Sequence, residues 1–181
     1  MVFLAGVLVG AATLYRDAAA VARSGGDGHC AAVALQNHAA ALAERGLHGA
    51  ALPALTTAIA ELGALGKVAE LAAVEANRAV SLVACGQLAS AEAAATRAAE
   101  RAAAAGLPVP AFYAALVHGD IARRRGDPAS AAARYRAAWT LAEAAGLPDR
   151  AHAQRALAEV AADAATAAAA LAAAAALDRD D

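Results

Sequence analysis

Residues 112–138 read FYAALVHGDIARRRGDPASAAARYRAA. Two helix-forming runs flank Gly126-Asp127, and glycine stops a helix at little cost because it accepts a left-handed backbone. The stretch predicts a helical hairpin. At an offset of 40 residues the chain repeats this punctuation, with Gly6, Gly46, Gly86 and Gly126 in one column and Gly26, Gly66, Gly106 and Gly146 in a second. The segments between are rich in Ala, Leu, Glu and Arg, and Pro108 and Pro148 follow two of the stops. The predicted order is helix, tight turn, helix, longer turn, repeated.

Other columns share the phase. Ala11, Ala51, Ala91 and Ala131 lie five places after the first glycine series, and Ala18, Ala58, Ala98 and Ala138 twelve places after it. Nine places on come Tyr15, Leu55, Ala95 and Tyr135, three of them bulky. Alanine where helices cross, with a large side chain plugging the next groove, is how stacked hairpins bury their faces. The composition agrees. Of the 181 residues 61% are hydrophobic, but over a third are alanine and only 3% aromatic, so helices must approach closely. No period-2 alternation appears, which predicts essentially no strand.

The quoted stretch resembles a tetratricopeptide repeat (TPR), with Gly119 in the first helix, Gly126-Asp127 at the turn, and Ala131, Tyr135 and Ala138 in the second helix. Earlier units match more loosely. Ala39 and Ala79 replace Gly119, Ala95 replaces the plug, and Leu35 and Glu75 stand where the family carries an aromatic. The 40-residue period exceeds the usual 34. It is similar to the long arrays of large bacterial transcription regulators and signalling ATPases. The resemblance covers residues 1–165. It implies an all-α, right-handed helical-hairpin repeat solenoid of about three full units, 29–66, 68–106 and 109–146, with half-units at both ends. Residues 166–181 read as an Ala-rich C-terminal helix and acidic tail. Asp149 to Ala165 is the last first-type helix, N-capped near Asp149, and residues 1–24 match a second helix whose first helix is missing.

Net charge is −2, and only Arg123, Arg124 and Arg125 cluster, which excludes direct nucleic-acid binding by this segment. Cys30 and Cys85 form no CxxC pair, as in a reduced, cytoplasmic protein. The apolar start MVFLAGVLVGAATLY lacks a preceding basic residue and meets Arg16 too early to span a bilayer. It leaves Val2, Phe3, Leu4, Val7 and Leu8 uncovered, so either the chain forms a homodimer through residues 1–15 or further sequence precedes it. An exported or membrane-tethered helical protein is a third reading.

The chemistry of catalysis is not legible. Five histidines show no HExxH spacing, and His38 and His118 share a repeat position two units apart, about 20 Å at one helix spacing of roughly 10 Å per unit. Gly63-Ala64-Leu65-Gly66-Lys67 lacks the spacer and the Ser or Thr of a phosphate loop. Neither a GxSxG elbow nor a paired-carboxylate cleft is present. The expectation is a non-enzyme without cofactor or metal.

The concave face, lined in such folds by the first helices, is the candidate site. It comprises Val33, Gln36, Asn37, Ala40 and Glu44, then Ala73, Ala76, Asn77, Val80 and Val83, then Tyr113, Leu116, Asp120, Arg123 and Arg124. Asn37 and Asn77 are 40 apart. An amide carries both donor and acceptor and holds an extended backbone whatever its sequence. A satisfied inter-helix hydrogen bond or bare exposure is the competing reading of both. The expected function is protein or peptide interaction in this groove. The alternative is the effector-sensing part of a transcription regulator or signalling ATPase.

Overall fold

The structure, a computed structural model, describes residues 2–161 together with Ala172 and Ala175, with side chains from Gly10 onward. The side chains of Val2, Phe3, Leu4, Val7 and Leu8, the Ala-rich run from Thr166 apart from Ala172 and Ala175, and the tail Asp178 to Asp181 lie outside the described residues.

Helices dominate, and no strand occurs among the described residues. They are α1 (Val2–Ser24), α2 (Gly28–Glu44), α3 (His48–Ala64), α4 (Val68–Ala84), α5 (Leu88–Ala105), α6 (Pro108–Arg124), α7 (Pro128–Ala145) and α8 (Arg150–Glu159). Each helix packs on its neighbour in sequence, giving an all-α stack of hairpins. In addition α4 packs on α6 and α2 touches α4, while no comparable contact joins α3 to α5 or α5 to α7. The first helices of the units, α2, α4 and α6, therefore lie on the side where the stack closes up.

The turns follow from local chemistry. Gly26, Gly46, Gly66, Gly86, Gly106, Gly126 and Gly146 all adopt positive φ, from 61° to 79°. After each glycine the next residue's N–H returns to the carbonyl five positions back, as Leu47 to Leu42 at 2.9 Å and Asp127 to Ala122 at 3.0 Å. This is the Schellman closure, which satisfies carbonyls that a helix end orphans. The residue that closes one helix often occupies the N-cap of the next, as Leu47, Lys67, Gln87 and Asp127 do.

One residue in two roles keeps the turns short, so the expected alternation of tight and longer turns is not seen. Among the described residues only the connection into α8 is longer. A second correction concerns Gly6, read as a stop, because α1 runs through it unbroken. A helix interior tolerates glycine at a cost of about 1 kcal/mol relative to alanine.

Crossings carry the small residues expected. Ala51, Ala91, Ala131, Ala58, Ala98 and Ala138 have no exposed surface. Tyr135 is likewise fully buried, and its ring fills the space above Gly119. A Cβ at 119 would stand 2.3 Å from Tyr135 Cε1, which explains the glycine inside a helix. In α1, which among the described residues packs on α2, Tyr15 and Ala18 are exposed instead.

Glu75 departs from this pattern. It is a buried carboxylate at the place of Leu35 in the preceding unit. Arg97 donates to its Oε1 at 2.8 Å and Arg101 to its Oε2, both from α5. A buried charge persists only when paired and hydrogen-bonded.

Candidate binding groove

Two adjoining cavities open on the first-helix side. The first, of about 430 Å³, runs from Gln36 on α2 across Glu70, Ala73, Ala76 and Asn77 on α4 to Val109, Pro110 and Tyr113 on α6. The second, of about 440 Å³, holds Val80, Tyr113, Leu116, Asp120, Arg123 and Tyr135, and is closed by His152, Arg155, Ala156 and Glu159 of α8. Tyr113 lines both and stands between them.

Tyr113 is fixed from two sides. Its ring meets Phe112 edge-on at 5.1 Å, and its hydroxyl donates to Asp149 Oδ2. Burial, then the Asp149 carboxylate, push its phenol well above the ordinary tyrosine range. Asp149 occupies the N-cap position of α8 as expected, but its carboxylate caps no backbone N–H. It is spent on Tyr113, which ties the groove wall to the last helix.

The first groove is an apolar trough with amides set in it. Gln36 and Asn77 are half-buried, and neither side chain has a hydrogen-bond partner among the described residues. The inter-helix bond that would account for Asn77 structurally is absent there, leaving the amide to water or a ligand. At one edge Glu70 Oε1 meets His29 Nε2 at 3.2 Å. A bond from its own backbone N–H and then His29 hold the Glu70 carboxyl below its usual range.

The second groove is charged and internally balanced. Tyr135 donates to Asp120 Oδ1 at 2.7 Å, while Arg123 lies 3.7 Å from Asp120 and 3.5 Å from Glu159. Burial and then the Asp120 carboxylate raise the Tyr135 phenol. Tyr135 itself is the first cause of the raised Arg123 pKa, ahead of Glu159 and Asp120.

Of the sequence-predicted residues, Gln36, Asn77 and Tyr113 gather in the first groove and Tyr113, Asp120 and Arg123 in the second. Asn37 and Arg124 line neither. Asn37 is half-buried on α2, which α4 touches more lightly than α6 packs on α4. Arg124 Nη1 donates to the Val83 carbonyl and so caps the end of α4. Arg125 grips Glu92 with two bonds, at 3.1 and 2.7 Å. The run of three arginines is thus divided among three separate partners. Val83 is buried in the core.

Residues that sequence reasoning missed are Glu70, Val109, Pro110 and the α8 set. The two prolines just after Gly106 were the available signal, since they start α6 where its first turn closes the trough. Two of the histidines, His38 and His118, are half-buried between helices. His38 Nδ1 bonds the Ala12 carbonyl of α1 at 2.7 Å, and half-buried His118 is held below its ordinary pKa by burial and then by Arg134. Among the described residues no three His, Cys, Asp or Glu side chains cluster as metal ligands, and no helix is long and apolar enough to cross a membrane.

No family model matches the chain, and no curated protein matches its sequence.

Proposed function

We propose that this chain is a non-catalytic interaction module of tetratricopeptide type, a right-handed cytoplasmic array whose first-helix groove holds an extended peptide of a partner protein. The observation that carries this reading is the pair of half-buried, unpartnered amides, Gln36 and Asn77, set in an apolar trough between α2 and α6. An extended peptide offers backbone N–H and C=O groups along its whole length, and two amides meet both kinds. Ala73, Ala76, Val109 and Pro110 give its side chains an apolar bed without steep demands on identity. The free thiols of Cys30 and Cys85 are in keeping with a reducing compartment.

Selection of a random peptide library on the immobilised chain tests this. Peptides recovered on the wild type should bind Gln36→Ala with Asn77→Ala about tenfold or more weakly, two hydrogen bonds being lost at roughly 0.5–1.5 kcal/mol each. The variant should keep the wild-type melting curve. Peptides retained equally by both proteins would place the binding surface elsewhere.

A further inference from the structure

The ion pairs of the second groove are built differently from those elsewhere in the stack. Arg23 meets Glu61 at 2.7 Å, Arg97 meets Glu75 at 2.8 Å and Arg125 meets Glu92 at 2.7 Å. Each has the length of a charge-assisted hydrogen bond, roughly 2.7–2.9 Å. Arg123 instead lies 3.7 Å from Asp120 and 3.5 Å from Glu159. One guanidinium and two carboxylates therefore surround a space without closing on one another. A guanidinium carries several N–H donors and each carboxylate several acceptor sites, so much of this capacity is left for water or a ligand. Tyr135 donates to Asp120 at 2.7 Å, which takes one acceptor site and fixes that carboxylate in place.

The space has the size and lining of a small-molecule site. Its volume of about 440 Å³ falls in the range of roughly 300–1,000 Å³ that such sites occupy. Val80, Leu116, Val117 and Ala156 give it an apolar wall beside the charged one. Asp120 and Arg123 come from α6 and Glu159 from α8, so the charged groups are held on two helices that face each other across the cavity.

We infer that this cavity binds a free α-amino acid with an apolar side chain. The ammonium group sits between the Asp120 and Glu159 carboxylates, the carboxylate on the Arg123 guanidinium, and the side chain against Val80, Leu116 and Val117. The site's opposite charges lie within 3.7 Å of one another, a spacing that suits an ammonium and a carboxylate carried on one carbon. The two termini of a peptide stand farther apart. A plain carboxylic acid or amine would leave one half of the site unmatched, a mismatch that selects against it. An occupant held in this way also braces α8 against α6, beside the Tyr113–Asp149 bond that already joins them. The cavity lies beyond Tyr113 from the amide trough, so the inference holds whatever that trough binds.

Isothermal titration calorimetry of the full chain with each common L-amino acid tests it. Leucine, isoleucine, valine, methionine or phenylalanine should bind, and lysine and glutamate should bind about tenfold or more weakly, their side chains carrying a charge to the apolar wall. For the tightest ligand, the N-acetyl and the amide forms should each lose about tenfold or more, since each removes one charged contact. Arg123→Gln and Asp120→Asn should weaken the free amino acid by a similar factor. Asp120→Asn keeps an acceptor for Tyr135, and circular dichroism should show undiminished helix in both variants. Gln36→Ala with Asn77→Ala should leave the affinity unchanged, which separates this site from the trough. The inference is overturned if no amino acid binds more tightly than roughly 10 mM, if the blocked forms bind as well as the free one, if Arg123→Gln keeps full affinity, or if the trough variant loses it.

Discussion

In the third unit the first and second helices cross through Gly119 and Tyr135, whereas the same register in the second unit holds Ala79 and Ala95. The first unit is intermediate, with Ala39 and Leu55. As the plug shrinks from tyrosine to leucine to alanine, the residue facing it stays small. The second unit adds what its alanines lack. One turn before Ala79, Glu75 is locked by Arg97 and Arg101. One hairpin is held by shape and the other by charge, so the shared register constrains the backbone and leaves the chemistry of each crossing free.

Removing the cations should have the largest effect. Arg97→Ala with Arg101→Ala leaves the Glu75 carboxylate, 3% exposed, without its partners. The loss should be about 3 kcal/mol in urea denaturation, at the low end for breaking a buried pair because both arginines keep one side in water. Adding Glu75→Leu, the residue of the first unit at this place, should restore most of it. Unchanged stability in the double alanine variant would show that alanine packing alone holds the second hairpin.

The steric lock comes next. Gly119→Ala should cost about 1–3 kcal/mol, because the added methyl would stand 2.3 Å from the Tyr135 ring and force it to shift. Tyr135→Leu in the same chain rebuilds the Ala39–Leu55 crossing and should recover part of the loss. Strictly additive losses would mean that the two positions do not share one space.

The smallest effect expected is at the caps. Asp27 and Asp127 accept N–H bonds from Cys30 and Ser130, both at 2.9 Å, and these bonds hold their carboxyls below the ordinary aspartate value. Their contribution is therefore complete above about pH 4 and is lost as pH falls through the lower folded values. Serine at both places still caps but does not titrate, so Asp27→Ser with Asp127→Ser should flatten the acid limb of the stability profile. An identical limb would assign acid sensitivity to other carboxylates.

The turns were legible because only glycine enters the left-handed region cheaply, so seven stops at 20-residue spacing could be read off the chain. The same rule over-reached at Gly6, where no turn follows. Arginines 123 to 125 looked like one basic cluster, yet consecutive residues at a helix end point in different directions and each found its own partner. Asn37 and Asn77 looked equivalent by register. They are not, because the trough around Asn77 is made by α6 and the prolines that begin it, a property of neighbours that no single repeat encodes. The triad at Glu75 had a trace in the sequence, two arginines four apart on the following helix, but their aim depends on how closely α4 and α5 pack.

The peptide-holding role of the groove is tested most directly by the side-chain NH₂ resonances of Gln36 and Asn77 in a ¹⁵N-labelled chain titrated with a library-selected peptide. The expected result is that both pairs shift and broaden together with the backbone amides of Ala73 and Tyr113, while the amide of Asn37 moves little. Shifts confined to the second-helix side, with the Gln36 and Asn77 resonances unmoved at saturation, would contradict it.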